Sequence, residues 1–191
     1  MEMPIAHTRL LGLCGSLRRE SYSRAVLHGL EPRLPAGTVL DRHDLRLPLY
    51  DEDEDGPATP DPVRAFRQMI AECDGLLVVT PEYNHGIPGV LKNALDWASR
   101  PYGDCVLIGK PALIISTSPG FVGGARAQAQ VNETLLSCHV RIVTGPQVVI
   151  GNIAGKIRDG RLVDEPTLQF AAAAVDRLLA ICREMRRSVP A

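Results

Sequence analysis

The chain has 191 residues, of which 45% are hydrophobic and 23% charged, with 21 basic and 22 acidic side chains. That length favours one domain over residues 1–191, with a core large enough to need no staples. The balanced charge argues against nucleic acid or an anionic membrane as the main partner. Apolar runs such as LLVV and ALII fall far short of the roughly 20 residues that cross a bilayer. The amino-terminal stretch lacks the pattern of a secretory signal. Five widely spaced cysteines, with no C-x-x-C pair, fit reduced thiols and a cytoplasmic protein.

Five apolar runs read as strands: Thr8–Cys14, Val39–His43, Gly75–Thr80, Pro111–Ser116 and an element around Val140–Ile150. Leu76 to Val79 and Leu113 to Ile115 are apolar on both faces, as parallel strands covered by helices require. Pro146 interrupts the fifth element and bends it or limits its pairing. Helical spacing lies between the runs. Tyr22, Val26 and Leu30 make one stripe, starting near Ser21 or Ser23. Val63, Phe66, Ile70 and Cys73 make the next. Pro88 opens a helix with Leu91, Leu95 and Ala98 on one face, and another covers Ala125–Cys138. The longest stripe runs from Leu168 through Ala171, Val175, Leu178 and Cys182 to Met185, with Pro166 in its first turn.

Alternating strands and helices imply an α/β three-layer sandwich on a parallel sheet with right-handed crossovers. Five strands fit the flavodoxin-like order 2-1-3-4-5, in which ligands sit beyond the carboxyl ends of the strands, beside the switch point. The loops after Cys14, Thr80 and Ser116 should therefore converge.

The first loop, Gly15-Ser16-Leu17-Arg18-Arg19-Glu20-Ser21-Tyr22-Ser23, joins a strand to a helix. Its backbone donors, serine hydroxyls and guanidinium groups suit a phosphate monoester at a helix N-terminus, although a Ser-rich capping turn has the same composition. It lacks the G-x-G-x-x-G dinucleotide pattern. It also lacks the Cys-x5-Arg loop of a phosphatase, since Glu20 stands in the arginine's place. In the second loop, Thr80 to Gly89, two prolines and two glycines constrain the backbone, and Tyr83 offers an apolar face. The third loop, Ser116 to Ala125, carries Gly123-Gly124, which permits close approach or a hinge.

The segments G-S-L-R-x-x-S-x-S and P-E-Y-N-H-G-I-P-G-V-L-K-N-A-L-D-W resemble the two signatures of the NADPH-dependent FMN reductase family, and the resemblance runs from residue 9 to about 150. That family includes bacterial quinone, chromate and azo-dye reductases. The resemblance implies non-covalent FMN, a homodimer or homotetramer, and NADPH or NADH as electron donor. By position, Ser16, Arg18, Ser21 and Ser23 would hold the flavin phosphate. Pro81, Glu82, Tyr83 and Asn84 would border the isoalloxazine, and Ser116 would line its other side. Ser23 departs from the asparagine frequent in the family and has a shorter reach. No metal is expected, and no side chain is assigned as a catalyst, because the flavin carries the chemistry.

Arg18, Arg19 and Arg100 favour NADPH over NADH. The acceptor could be a quinone, chromate, an azo compound or free flavin. A flavodoxin-type electron carrier and a non-enzymatic ligand-binding module on the same fold are the alternatives. His85, Trp97 and Cys14 read as solvated, core or interface, and packing residues. Asp51 to Asp55 reads as a solvated acidic loop, lacking EF-hand spacing.

Overall fold

The structure, a computed structural model, describes residues 7–188. Strand β1 (Thr8–Cys14) leads into α1 (Tyr22–Leu30), β2 (Thr38–Arg42), α2 (Asp61–Glu72), β3 (Gly75–Pro81) and α3 (Gly89–Ala98). Then follow β4 (Pro111–Thr117), α4 (Ala125–Ser137), β5 (Arg141–Ile142), β6 (Val148–Ile150), a hairpin β7 (Ile157–Arg158) and β8 (Arg161–Leu162), and α5 (Glu165–Ser188). The main sheet is parallel throughout and runs β2-β1-β3-β4-β5, the expected order, with β6 also on β4.

Alternation along each strand divides the core. Leu10, Leu77, Val79, Leu113 and Ile115 pack under α1 and α5, against Val26, Leu30, Val175 and Leu178. Leu11, Leu76, Val78, Ala112 and Ile114 pack under the other helices, against Phe66, Ile70, Leu91, Leu95 and Leu135. Trp97 is buried in full, and its indole N–H donates to the Pro48 carbonyl at 2.9 Å. Trp97 is thus core.

Several boundaries move by one residue: β2 begins at Thr38, β3 and β4 run on to Pro81 and Thr117, and α4 stops at Ser137. The second strand ends at Arg42 rather than His43, because the His43 ring leaves the ladder and stacks on Phe66 at 5.3 Å. Burial there pushes the His43 imidazole below its usual range. The fifth element is two strands. Ile142 pairs with Ala112 and Val148 with Ile115, so three residues of β4 are matched by six of the neighbour. The excess bulges outward at Gly145, whose φ is 117°, and Pro146. The bulge leaves the Ile114 carbonyl facing a gap, and the buried Gln128 amide fills it, donating to Ile114 at 3.0 Å and Val148 at 3.4 Å.

The hairpin is an addition to the expected elements. Asp159 and Gly160 both have positive φ, 48° and 70°, as a two-residue type I′ turn requires. It is pinned on two sides. Gly29 of α1 lies so close that a Cβ would come within 2.6 Å of the Leu162 carbonyl. Lys156 pairs with Asp164 at 2.9 Å, just ahead of α5. The Thr167 hydroxyl and the Lys156 ammonium hold the Asp164 carboxyl below the usual carboxylate range.

Candidate functional site

Parallel register brings three strand ends together. Cys14 lies beside Val79, Thr80 beside Ser116, and Pro81 beside Thr117. The three following loops therefore leave the same edge side by side.

In the first loop, Gly15 abuts β3: a Cβ there would lie 2.9 Å from the Thr80 hydroxyl and 3.1 Å from its Cα. Ser16 is buried at the next position, and its hydroxyl meets the Tyr83 hydroxyl of the second loop at 3.1 Å. The same oxygen accepts from the Arg18 N–H at 3.3 Å. Ser21 caps α1, accepting from the Arg24 N–H at 3.3 Å. The Tyr22 and Ser23 N–H groups have no protein acceptor among the described residues, as the first turn of a helix dictates. The Arg18 guanidinium lies 4.7 Å over the Tyr22 ring. Ser23 points inward and is fully buried, with its hydroxyl 3.4 Å from that of Thr117.

The second loop folds into a tight turn. Tyr83 and Gly86 exchange backbone hydrogen bonds at 3.1 and 3.0 Å, and Asn84 and His85 between them have φ of 50° and 65°. This is type I′ geometry, which a histidine adopts only under constraint. The constraint comes from α4. Glu82 accepts from the Arg126 and Ala127 N–H groups at 3.0 and 3.1 Å. It thereby caps a helix whose own N-cap, Gly124, has no side chain to do so. The Ile87 N–H donates to Gln130 at 2.8 Å, one turn further along. Tyr83 remains 49% exposed.

The third loop is shaped by close approach. Gly123 and Gly124 have φ of 68° and 86°. A Cβ on Gly151 would come within 2.3 Å of the Phe121 carbonyl. Phe121 and Val122 are exposed beside this joint. Ser116 is buried in full, yet its hydroxyl has no hydrogen-bond partner among the described residues.

The structure brings Ser16 and Tyr83 into contact and sets Ser116 one strand away. It turns the Glu82 carboxylate toward α4 and the Ser23 hydroxyl toward Thr117. Sequence reasoning missed Gln130 and Thr117. The alternation of β4 past Ser116 could have placed Thr117 on the α1 face. Gln130 left no local signal.

The fold and this rim define an open α/β protein whose loops converge at the switch point of a doubly wound sheet, where such folds receive ligands. The match to the NADPH-dependent FMN reductase family model covers residues 8–155, and the chain belongs to that family. It is 42% identical over 174 residues to a 2-hydroxy-1,4-benzoquinone reductase of Burkholderia sp, covering 90% of this chain and 94% of that protein. It is 38% identical over 168 residues to a quinone reductase of Escherichia coli K12, covering 84% of this chain and 87% of the other. Among solved structures, it resembles a flavoenzyme NAD(P)H:(acceptor) oxidoreductase of Paracoccus denitrificans. The TM-score is 0.83 and the identity 32%, over 93% of this chain and 98% of the other.

The residues present fit a phosphorylated flavin. Unpaired N–H groups at the start of α1 suit an anion. The buried, orphaned Ser116 hydroxyl at the same rim is the kind of polar group that a ligand completes.

Proposed function

We propose that this protein is an FMN-dependent NAD(P)H oxidoreductase that passes two electrons by hydride transfer to a small acceptor of the quinone class. The observation that carries the reading is the meeting of Ser16 and Tyr83, at 3.1 Å, on the edge shared by β1 and β3. Two signatures distant in sequence thereby become one surface.

Ser16, Arg18 and Ser21, with the free N–H groups of α1, hold the flavin phosphate. Ser23 contributes through its backbone N–H, since its hydroxyl is engaged with Thr117. Pro81, Tyr83 and Asn84 border the ring, with the type I′ turn fixing their backbone. Glu82 acts one step back, locking this loop to α4. Ser116 completes the opposite side. FMN, when bound, supplies the two-electron chemistry. The protein's part is to orient the ring, to aim fixed backbone dipoles at its pyrimidine edge, and to leave one face open. Half-exposed Tyr83 and exposed Phe121, on two loops that leave the same edge of the sheet, give that edge apolar surface, which suits an aromatic acceptor.

No described helix is long and apolar enough to cross a membrane. We place the protein in the cytoplasm, in keeping with its five free thiols, as a homodimer or homotetramer. Light scattering of the purified protein checks the oligomer. The function is tested by anaerobic titration of the FMN-loaded protein with NADPH, followed by a benzoquinone. Flavin absorbance should bleach with one equivalent and return on adding quinone. Absorbance that does not change with NADPH leaves only an electron carrier or a binding module.

A further inference from the structure

A cleft of about 470 Å³ opens beside the first loop. One wall is α1, where Ser21, Arg24, Ala25 and His28 lie on one stripe. The facing wall is the start and turn of the β7–β8 hairpin, with Ala154, Ile157 and Gly160. The close Gly29–Leu162 approach and a 3.4 Å contact from His28 Nδ1 to the Gly160 carbonyl set its width.

Both walls continue into the rim. The first loop forms the upper end of the helical wall. On the other side, the Asn152 and Ile153 N–H groups donate to the Gly120 and Ser118 carbonyls of the third loop, each at 3.2 Å. Anything long enough to lie at the rim can therefore extend into the cleft between the first and third loops.

The cleft holds unneutralised cations. Among the described residues, Arg9, Arg33, Arg42, Arg46, Arg64, Arg67 and Arg186 are each paired with a carboxylate. Arg18, Arg19 and Arg24, which line the cleft, are among the arginines that are not, and the Arg24 guanidinium donates to the Arg19 carbonyl at 3.4 Å. Glu20 and Asp159 also line it but reach none of the three. Guanidinium groups in a concave site recognise phosphate through a planar fork of donors. Tyr22, Ala154 and Ile157 add apolar surface for a base and sugar, and the volume lies in the range of ligand sites.

We propose that this cleft binds the adenosine 2′-phosphate end of NADPH, with Arg19 and Arg24 on the phosphate. The proposal rests on the reductase reading above. Asp159, the one carboxylate on the hairpin wall, opposes that phosphate and sets the selectivity of the cleft.

The test is calorimetric titration of the FMN-loaded protein with adenosine 2′-phosphate, adenosine and inorganic phosphate, repeated on Arg24→Ala and Asp159→Asn. Asparagine keeps the left-handed turn. Adenosine 2′-phosphate should bind the wild type, bind Arg24→Ala about tenfold more weakly or worse, and bind Asp159→Asn more tightly. In Arg24→Ala, kcat/KM should fall about tenfold for NADPH and stay within about twofold for NADH, with FMN affinity retained. Inorganic phosphate binding as tightly as adenosine 2′-phosphate overturns the proposal. So does an Arg24→Ala protein that loses FMN affinity in parallel, because the cleft then belongs to the flavin phosphate. If the wild type fails to bind FMN, the reductase reading falls, and the same titrations on the flavin-free protein still judge the cleft.

Discussion

The two ends of the sheet are built on opposite terms. At the amino edge, polar groups are spent on one another. Asp74 accepts from the Arg9 N–H at 2.6 Å and takes both arms of the Arg186 guanidinium. Lys110 donates to the Cys73 carbonyl at 2.7 Å, and the Cys182 thiol donates to that of Asp74 at 3.2 Å. At the carboxyl edge, the Ser116 hydroxyl is orphaned among the described residues, and Asn84 and His85 hold left-handed backbone. Local strain and unsatisfied groups persist only where the surrounding structure enforces them. The amino edge holds the fold together, and the carboxyl edge is shaped for groups the chain does not itself supply.

That contrast breaks most visibly at Gly151. Its replacement by alanine drives a Cβ into the Phe121 carbonyl and displaces the third loop. FMN affinity should fall by about 100-fold, equivalent to about 2.7 kcal/mol, read by flavin fluorescence quenching. The reciprocal change is Asp74→Ala. It strands the Arg186 guanidinium and the Arg9 N–H, and should lower stability in urea by about 2 kcal/mol while FMN affinity holds within about twofold. An Asp74 variant that loses flavin in proportion to its stability would erase the division between the edges.

The smallest effect is on pH. Burial pushes the Cys73 thiol up to about 11 and the Cys182 thiol up to about 12. The unfolded chain therefore releases these protons first. Stability is full below the ordinary thiol pKa near 9 and declines as pH rises from there toward 11. Urea midpoints between pH 8 and 10 check this, each about one pH unit from the ordinary thiol value. Replacing Cys73 and Cys182 with alanine should flatten the slope.

Periodicity and turn chemistry exposed most of this architecture in the sequence. The apolar runs at β1, β3 and β4 and the stripe of α5 state their partners' faces directly, and so the convergence of three loops was legible. The direction of individual side chains was not. Glu82 finds its acceptor role 44 residues away, at the start of α4, and Ser23 turns inward because Thr117 lies across the β4 edge. Pro146 signalled an interruption, but not the three-residue bulge that Gln128 closes. The Asp159-Gly160 turn carried its own signal in the sequence. What it builds, one wall of a cleft on α1, depends on Gly29 far upstream.

We propose that the first loop grips a phosphate at the rim, with the ring beside Tyr83. Parallel titration of the flavin-free protein with FMN and with riboflavin measures that grip alone, because the two ligands differ only in the phosphate. Riboflavin should bind at least about 100-fold more weakly than FMN, the loss of about 2.7 kcal/mol expected from charged hydrogen bonds at a helix N-terminus. Equal affinities would place the flavin elsewhere and contradict the site.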